Sequence, residues 1–274
     1  MLKSGQKTRE VTALKKIYIL SSLIAVPAAV LGWFLVRGIE PATGYYAGDP
    51  VLLIAAAAAA VCIIFAGFAL RFAAQKRGTP YKAPEHRGLW RFFNAILAML
   101  ILLSLLCRFS YSRPESANLL RVWTVTAAIE LAALIFIYIR IITDDPKDPL
   151  KTVFRTFGPC VYFTADLLNR FLSSSVNKND IPLMISLLCC SALAVSSLRM
   201  TQTLTSGETY TQRQFLCAAF CCVIFCVGFR LPCAMFYLRT GDLFETVYVA
   251  TDVVASLVFF YEACLTLPSH KENA

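Results

Sequence analysis

The chain has 274 residues, of which 58% are hydrophobic and only 16% are charged, and its mean hydropathy is +0.63. Soluble domains carry about 25% charged residues, so this composition excludes an ordinary soluble domain and predicts a protein embedded in lipid. A net charge of +9 would favour nucleic-acid binding in a soluble protein. Here the basic residues gather in alternate connections between apolar segments, which is typical of membrane proteins. We therefore expect contact with the lipid bilayer and no nucleic-acid partner.

Apolar segments long enough to cross a bilayer recur along the whole chain. A hydrocarbon core roughly 30 Å thick requires about 20 apolar residues per helix. The predicted spans are 17–36, 51–72, 89–109, 118–140, 152–172, 181–199, 214–237 and 243–266. The expected fold class is an all-α, polytopic transmembrane helical bundle of about eight spans arranged as four hairpins. Its domains are a basic N-terminal segment (1–16), one transmembrane helical domain (17–266) and a short tail (267–274).

The orientation follows from the basic residues. The first apolar run continues to about residue 36, which is too long for the roughly 7–15-residue core of a signal peptide, so we interpret it as an uncleaved span. With the N-terminus inside, most of the 26 lysines and arginines fall on the cytoplasmic side. An even number of spans then places both termini in the cytoplasm.

The fifth segment is the weakest predicted span, because charged and amide residues interrupt it. Its apolar positions, including Phe157, Leu168 and Phe171, nevertheless recur at helical spacing, and Tyr162 and Asp166 fall on another face. This pattern predicts a span whose polar face lies in the bundle interior. The alternative is a surface helix, which would give seven spans and an external C-terminus. Within this segment, Gly158-Pro159 is a candidate hinge.

Four arginines stand at the predicted outer ends of the odd-numbered spans, namely Arg37, Arg108, Arg170 and Arg230. Their spacing matches one helical hairpin and could reflect a duplicated unit, as in many transporters. The simpler interpretation is that arginines at helix ends extend to the membrane interface. The hairpins share little beyond these arginines, which favours the second interpretation.

Acidic residues inside the predicted spans are the strongest pointers to function. A charge at the bilayer centre costs roughly 2.5–3.5 kcal/mol on insertion scales, so each requires a polar partner. Asp252 has one in Arg230 across the last hairpin, and Asp166 and Arg170 are spaced to pair within one helix. Glu130 has no evident partner at its own depth. These five residues form the candidate intramembrane polar site.

This site has two interpretations. In the functional one, Glu130 or Asp252 takes up a proton or binds a cation in a translocation or ligand site. In the structural one, the pairs only fix the helices relative to one another.

Other chemistry finds little support in the sequence. The eleven cysteines lie in predicted helices, and we expect Cys217, Cys221, Cys222 and Cys226 to form a packing stripe rather than a metal site. With two histidines and no nucleophile or phosphate-binding motif, no catalytic, metal-binding or cofactor-binding residue is predicted. An enzyme acting on lipid-linked substrates would need outward acids or bases, and Glu115 and Asp242 are available but belong to no motif.

One segment resembles a known group of proteins. The stretch Arg37-Gly38-Ile39-Glu40-Pro41-Ala42-Thr43-Gly44-Tyr45-Tyr46 is similar to the first outer loop of uncharacterised bacterial multi-pass membrane proteins. In that loop an acidic-Thr-Gly-aromatic turn follows the first span, and here Ala42 stands where an acidic residue is expected. The resemblance implies the cytoplasmic membrane of a bacterium and carries no activity.

The sequence therefore favours an integral membrane protein that is either a transporter-like bundle or the membrane subunit of a larger system. A partner subunit, in the membrane or the cytoplasm, is expected in the second case. The alternative is a membrane assembly or sensory protein that moves no substrate. An enzyme acting on lipid-linked substrates is the weaker alternative.

Overall fold

The computed structural model describes residues 2–43, 45–73, 87–111, 117–142, 149–173, 180–206 and 209–265. Almost all of these residues are helical, which confirms the all-α class for the described part of the chain. The helices are α1 (Leu2–Arg37), α2 (Pro50–Ala73), α3 (Arg87–Tyr111), α4 (Ala117–Ile142), α5 (Pro149–Ser173), α6 (Ile181–Ser206), α7 (Thr209–Phe225), α8 (Leu231–Thr240) and α9 (Leu243–Leu265). A π-helical turn, Cys226–Arg230, joins α7 to α8 without a break.

Seven helical stretches within the described ranges are long and apolar enough to cross a membrane. They are Ile19–Arg37, Pro50–Leu70, Trp90–Ser110, Leu119–Ile142, Ile181–Ser206, Tyr210–Thr240 and Leu243–Cys264. The chain is thus a multi-pass membrane protein. The most buried of these stretches is Tyr210–Thr240, which forms the centre of the bundle, and the least buried is Pro50–Leu70, on α2.

The segment α5, predicted as the fifth span, is a helix of 25 residues that falls outside this set of seven apolar stretches. It lies against α4, where Gly158 approaches the Ala133 carbonyl oxygen, and against α6 through Cys190. Its two faces are as predicted, because Asp166 is buried while Phe171 is 54% exposed. The helix continues through Pro159, so the hinge predicted at Gly158-Pro159 is not a break in this structure.

The connection predicted at 200–213 is mostly helical, which corrects the boundaries of two spans. α6 continues to Ser206 and α7 begins at Thr209. The polar composition suggested a loop, but the threonine hydroxyls bond back to their own helix. Thr201 and Thr205, for example, donate to the carbonyl oxygens of Ser197 and Thr201 at 3.0 and 2.6 Å. Such bonds satisfy the hydroxyl without ending the helix.

The loop between α1 and α2 is ordered by backbone pairing. Ile39 and Tyr46 form one antiparallel bridge, and Tyr45 forms another with Asp180, directly before α6. Within the loop the Thr43 hydroxyl donates to Glu40 Oε2 at 2.7 Å. The end of α1 and the start of α6 therefore meet at one end of the bundle, which we call the loop face.

The π-helical turn lies where α1 crosses the helical stretch Tyr210–Thr240, which we call the central rod. Pro232 has no backbone N–H to donate to the carbonyl four residues earlier, and the Leu231 N–H bonds to the Cys226 oxygen instead. The Gly228 carbonyl faces Gly32 of α1 so closely that any side chain at Gly32 would overlap it. The irregular turn thus allows the two backbones to touch.

All eleven cysteines are free thiols. Cys222 and Cys226 are buried within the core, while Cys217 and Cys221 contact Gly67 of α2. The predicted stripe therefore packs α7 against its neighbours.

Candidate functional site

A run of alternating charges connects three helices below the loop face. Arg170 of α5 binds Asp166 at 2.7 Å within its own helix, and it reaches Asp252 of α9 with both terminal nitrogens at 2.9 and 3.0 Å. Arg230, on the π-helical turn, donates from Nε to the same Asp252 at 3.0 Å and from Nη2 to Glu245 at 3.3 Å. We call these five residues the ion-pair ladder. The two predicted pairs, Asp166 with Arg170 and Asp252 with Arg230, are confirmed, and Arg170 links them.

Glu130 also has a partner, contrary to our expectation from the sequence. Arg108 Nη1 of α3 lies 2.6 Å from Glu130 Oε1 of α4. The second terminal nitrogen donates to the Trp123 carbonyl, the Thr126 hydroxyl and the Asn169 side-chain oxygen at 2.8, 2.6 and 2.8 Å. Because Asn169 immediately precedes Arg170, this second unit adjoins the ladder.

The interpretation that these arginines extend outward to the interface is wrong for three of the four. Arg108, Arg170 and Arg230 are at most 8% exposed, and only Arg37 is exposed, with its guanidinium 5.8 Å from the Trp33 ring. The physical reason is side-chain direction. The Cα–Cβ bonds of a helix tilt toward its N-terminus, so an arginine near the C-terminal end is directed back into the bundle.

Aromatic rings cover the buried guanidinium groups. Arg170 lies 4.6 Å from the centroid of Tyr248, and Arg108 lies 5.3 Å from that of Trp123. The negative faces of such rings attract cations, and their bulk excludes lipid and water. The two aromatic rings thus shield the guanidinium groups of Arg108 and Arg170 from lipid.

The buried charges balance, but not every polar atom is paired. Three arginines face the three buried carboxylates of Glu130, Asp166 and Asp252. Three buried atoms of this region have no hydrogen-bond partner among the described residues, and they are Arg108 Nε, Arg170 Nε and Asp166 Oδ1. An unsatisfied buried polar atom costs about 1–3 kcal/mol. Two donors and one acceptor of this region are therefore left unsatisfied by the described residues.

A second charged cluster lies at the opposite end of the bundle, and sequence reasoning missed it. Arg140 of α4 binds Glu262 of α9 through two contacts of 3.0 Å, and the Trp90 indole N–H donates to Glu262 Oε1 at 3.0 Å. Arg140 also lies 5.1 Å from the centre of the Trp90 ring. Trp90 and Arg108 are about 27 Å apart along α3 at about 1.5 Å per residue, so the clusters are near opposite faces. The available signal was a lone glutamate after the aromatic residues near the end of the last predicted span.

Of the two residues considered for an outward-facing enzyme, the structure describes Asp242. Asp242 is a helix cap, because its Oδ1 accepts the Glu245 backbone N–H at 3.0 Å and its carbonyl accepts the Thr246 hydroxyl at 2.9 Å. Glu115 lies outside the described residues.

The fold and the site together define a helical, multi-pass membrane protein with a charged interior. Comparison with family models, curated proteins and solved structures found no match to the chain.

Proposed function

We propose that the chain is a transporter-like membrane bundle that binds a small ion, the proton included, at the ion-pair ladder and moves it across the bilayer. The observation that carries this proposal is the sharing of partners. Arg170 contacts both Asp166 and Asp252, and Arg230 contacts both Asp252 and Glu245. Intramembrane charges arranged in this way are typical of ion and proton pathways.

Shared partners matter because an arginine can leave one carboxylate while it keeps another. Leaving a buried charge with no partner costs about 3–5 kcal/mol, which would block movement in an isolated pair. In the ladder, Arg170 retains a carboxylate if either of its two contacts opens. Glu245 is 31% exposed in its side chain, so the ladder runs from the buried Asp166 to a position that reaches the loop face.

The same proposal includes eight spans with both termini in the cytoplasm. If α5 lay on the surface, α6 would begin at the face opposite the end of α1. Support for a crossing α5 comes from the bridge between Tyr45 and Asp180, which joins those two chain ends at one face. At 25 residues and about 1.5 Å per residue, α5 is about 37 Å long, enough to cross a hydrocarbon core of about 30 Å.

We place the protein in the cytoplasmic membrane of a bacterium, on the resemblance of the loop 37–46. It acts there alone or as the membrane subunit of a larger system. Native mass spectrometry of gently extracted protein distinguishes the two cases, because a stoichiometric partner subunit would remain bound.

The test is ion movement in proteoliposomes that contain a pH-sensitive dye. Under an imposed potential we expect proton or ion flux with the native protein and none with Asp252→Asn. The matched control is Glu262→Gln, which neutralises the carboxylate at the other end of the same helix and should retain flux. The proposal fails if no proton, alkali cation or small anion moves through folded native protein.

An assembly or sensory protein is the second candidate, and one observation favours it. Both oxygens of Asp252 are fully occupied by Arg170 and Arg230, as expected for a purely structural lock. In that case Asp252→Asn would lower stability, and no flux would be found in any variant.

A further inference from the structure

We propose that Asp166, through its Oδ1 atom, is the carboxylate of the site that binds a proton, and that the proton reaches it through water held at the unpaired arginine atoms. This inference rests on the proposed function for its role in transport, although the binding step can be measured separately. The inference names Asp166 as the binding residue of the site and the proton as its ligand.

The two oxygens of Asp166 differ in their surroundings. Oδ2 lies 2.7 Å from Arg170 Nη2 and accepts a hydrogen bond from the Cys190 thiol at 3.5 Å. Oδ1 is buried and has no hydrogen-bond partner among the described residues. A proton added at Oδ1 therefore displaces no existing hydrogen bond.

Asp252 is unsuited to this role. Arg170 occupies both of its oxygens, and Arg230 Nε occupies one of them as well. A proton on Asp252 would disrupt three contacts and leave two arginines sharing the remaining carboxylates. Protonation of Asp166 leaves Arg170 paired with Asp252, so no arginine is left without a carboxylate.

The charge of the region leaves room for one proton. Three buried carboxylates balance the three buried arginines, and the part-exposed Glu245 adds a fourth acidic group beside Arg230. With a proton on Asp166, three ionised acidic groups still face the three arginines. Ca²⁺ or Mg²⁺ would instead require about six oxygen ligands, and Oδ1 is the one unpaired buried carboxylate oxygen among the described residues.

Charged and titratable groups surround Asp166 from every neighbouring helix. They are Arg108 from α3, Glu130 from α4, Tyr162 and Arg170 from α5, Cys190 from α6, and Tyr248 and Asp252 from α9. The arginines cannot release protons at any physiological pH. Proton exchange therefore requires water between a carboxylate and the aqueous phase.

The unpaired Nε–H groups of Arg108 and Arg170 are the donors to which this water would bond. Water can accept from an Nε–H and donate to a carboxylate oxygen, so it satisfies both kinds of unpaired atom in this region. In the binding step a hydronium ion from the aqueous phase gives up its proton as the new O–H bond forms at Oδ1. A water molecule remains, and no other reactant is consumed.

The experiment is pH-difference infrared spectroscopy on the full-length protein in lipid, with isotope-labelled aspartate to mark aspartate carboxyl bands. We expect a protonated aspartate band that appears as the pH falls, disappears in Asp166→Asn and returns as a glutamate band in Asp166→Glu. It should persist as an aspartate band in Asp252→Glu, which keeps a carboxylate opposite Arg170. If Asp166→Asn does not fold, an aspartate band that remains in Asp166→Glu overturns the proposal, and its replacement by a glutamate band supports it.

Flux measurements on the same variants separate this inference from the proposed function. A titrating Asp166 in a protein that moves no ion would uphold the binding step and reject transport. Proton flux that is unchanged in Asp166→Asn would uphold transport and reject Asp166 as the residue that binds the transported proton. The absence of any pH-dependent aspartate band in native protein overturns the inference outright.

Discussion

Arg170 holds Asp252 by a two-point fork, with Nη1 and Nη2 at 2.9 and 3.0 Å from the two carboxylate oxygens. Such bidentate pairs fix direction as well as distance. Arg230 approaches the same carboxylate from the π-helical turn at 3.0 Å. Asp252 is therefore the point at which α5, α9 and the central rod are tied together.

Exchanging the charges of Arg230 and Asp252 will not preserve the protein, because the new arginine at position 252 would face Arg170. We expect Arg230→Asp/Asp252→Arg to be poorly folded, as judged by size-exclusion chromatography in detergent. The matched control is the exchange of Arg140 and Glu262, which have no second charged partner within the described structure. Equal yield and equal thermal stability of the two exchanged proteins would contradict the fork as described.

Arg170→Lys keeps the charge but removes the planar donors that reach Asp252 and Asp166. Hydrogen bonds to charged groups contribute about 1.5–3 kcal/mol, so we expect a loss of that order in the free energy of unfolding. Thermal or denaturant unfolding in detergent measures it. Arg37→Lys, at an exposed arginine, should leave the unfolding curve unchanged.

The two buried glutamates should separate stability from function. Glu130→Gln and Glu262→Gln each remove the carboxylate from a buried arginine, and each should destabilise by about 3–5 kcal/mol. Only Glu130→Gln should also abolish flux in proteoliposomes, since Glu262 lies at the far end of the bundle. Flux that is lost equally in both variants would mean that stability alone explains it.

The crossing of α1 and the π-helical turn depends on small residues. A methyl group added at Gly228 would lie 2.7 Å from the Ala28 side chain, closer than two carbons can approach. We expect Gly228→Ala to reduce the yield of folded protein and Ala28→Gly to restore it in the double variant. Gly88→Ala is the control, because nothing lies within 4 Å of an added methyl there. A normal yield from Gly228→Ala would contradict the close contact.

The number of spans can be tested through the chain termini. Eight spans place both ends on one side, whereas seven place them on opposite sides. With a protease-cleavable tag at either end, we expect both tags to be protected in right-side-out vesicles and both to be cut in inverted ones. Cleavage of one tag alone in either preparation would show that α5 does not cross.

The sequence predicts those pairings that helix geometry determines locally. Asp166 and Arg170 are one helical turn apart, and Asp252 and Arg230 are brought level by a short antiparallel connection. The pairs Arg108 with Glu130 and Arg140 with Glu262 depend on where each guanidinium points along its helix. Spacing alone does not contain that direction, so Arg108 was interpreted as an interfacial residue.

The boundaries of the spans do not follow from the sequence where a polar helix end has the composition of a loop. The threonine-rich end of α6 satisfies its hydroxyls on its own carbonyl groups, which no periodicity of apolar residues reveals. The weak hydropathy of α5 has a related cause, because its polar residues face protein and do not contribute to an apolar count. The polar groups are thus satisfied within the helix itself in α6 and by neighbouring helices in α5.

The position of Asp252 and Glu262 on α9 has a consequence for biosynthesis. Both carboxylates follow Arg140, Arg170 and Arg230 in the chain, so they reach the membrane after these arginines. Until α9 inserts, Arg140 lacks the carboxylate it binds in the folded protein, and Arg230 lacks both of its own. Insertion of α9 therefore completes the charge pairing at both ends of the bundle in one step.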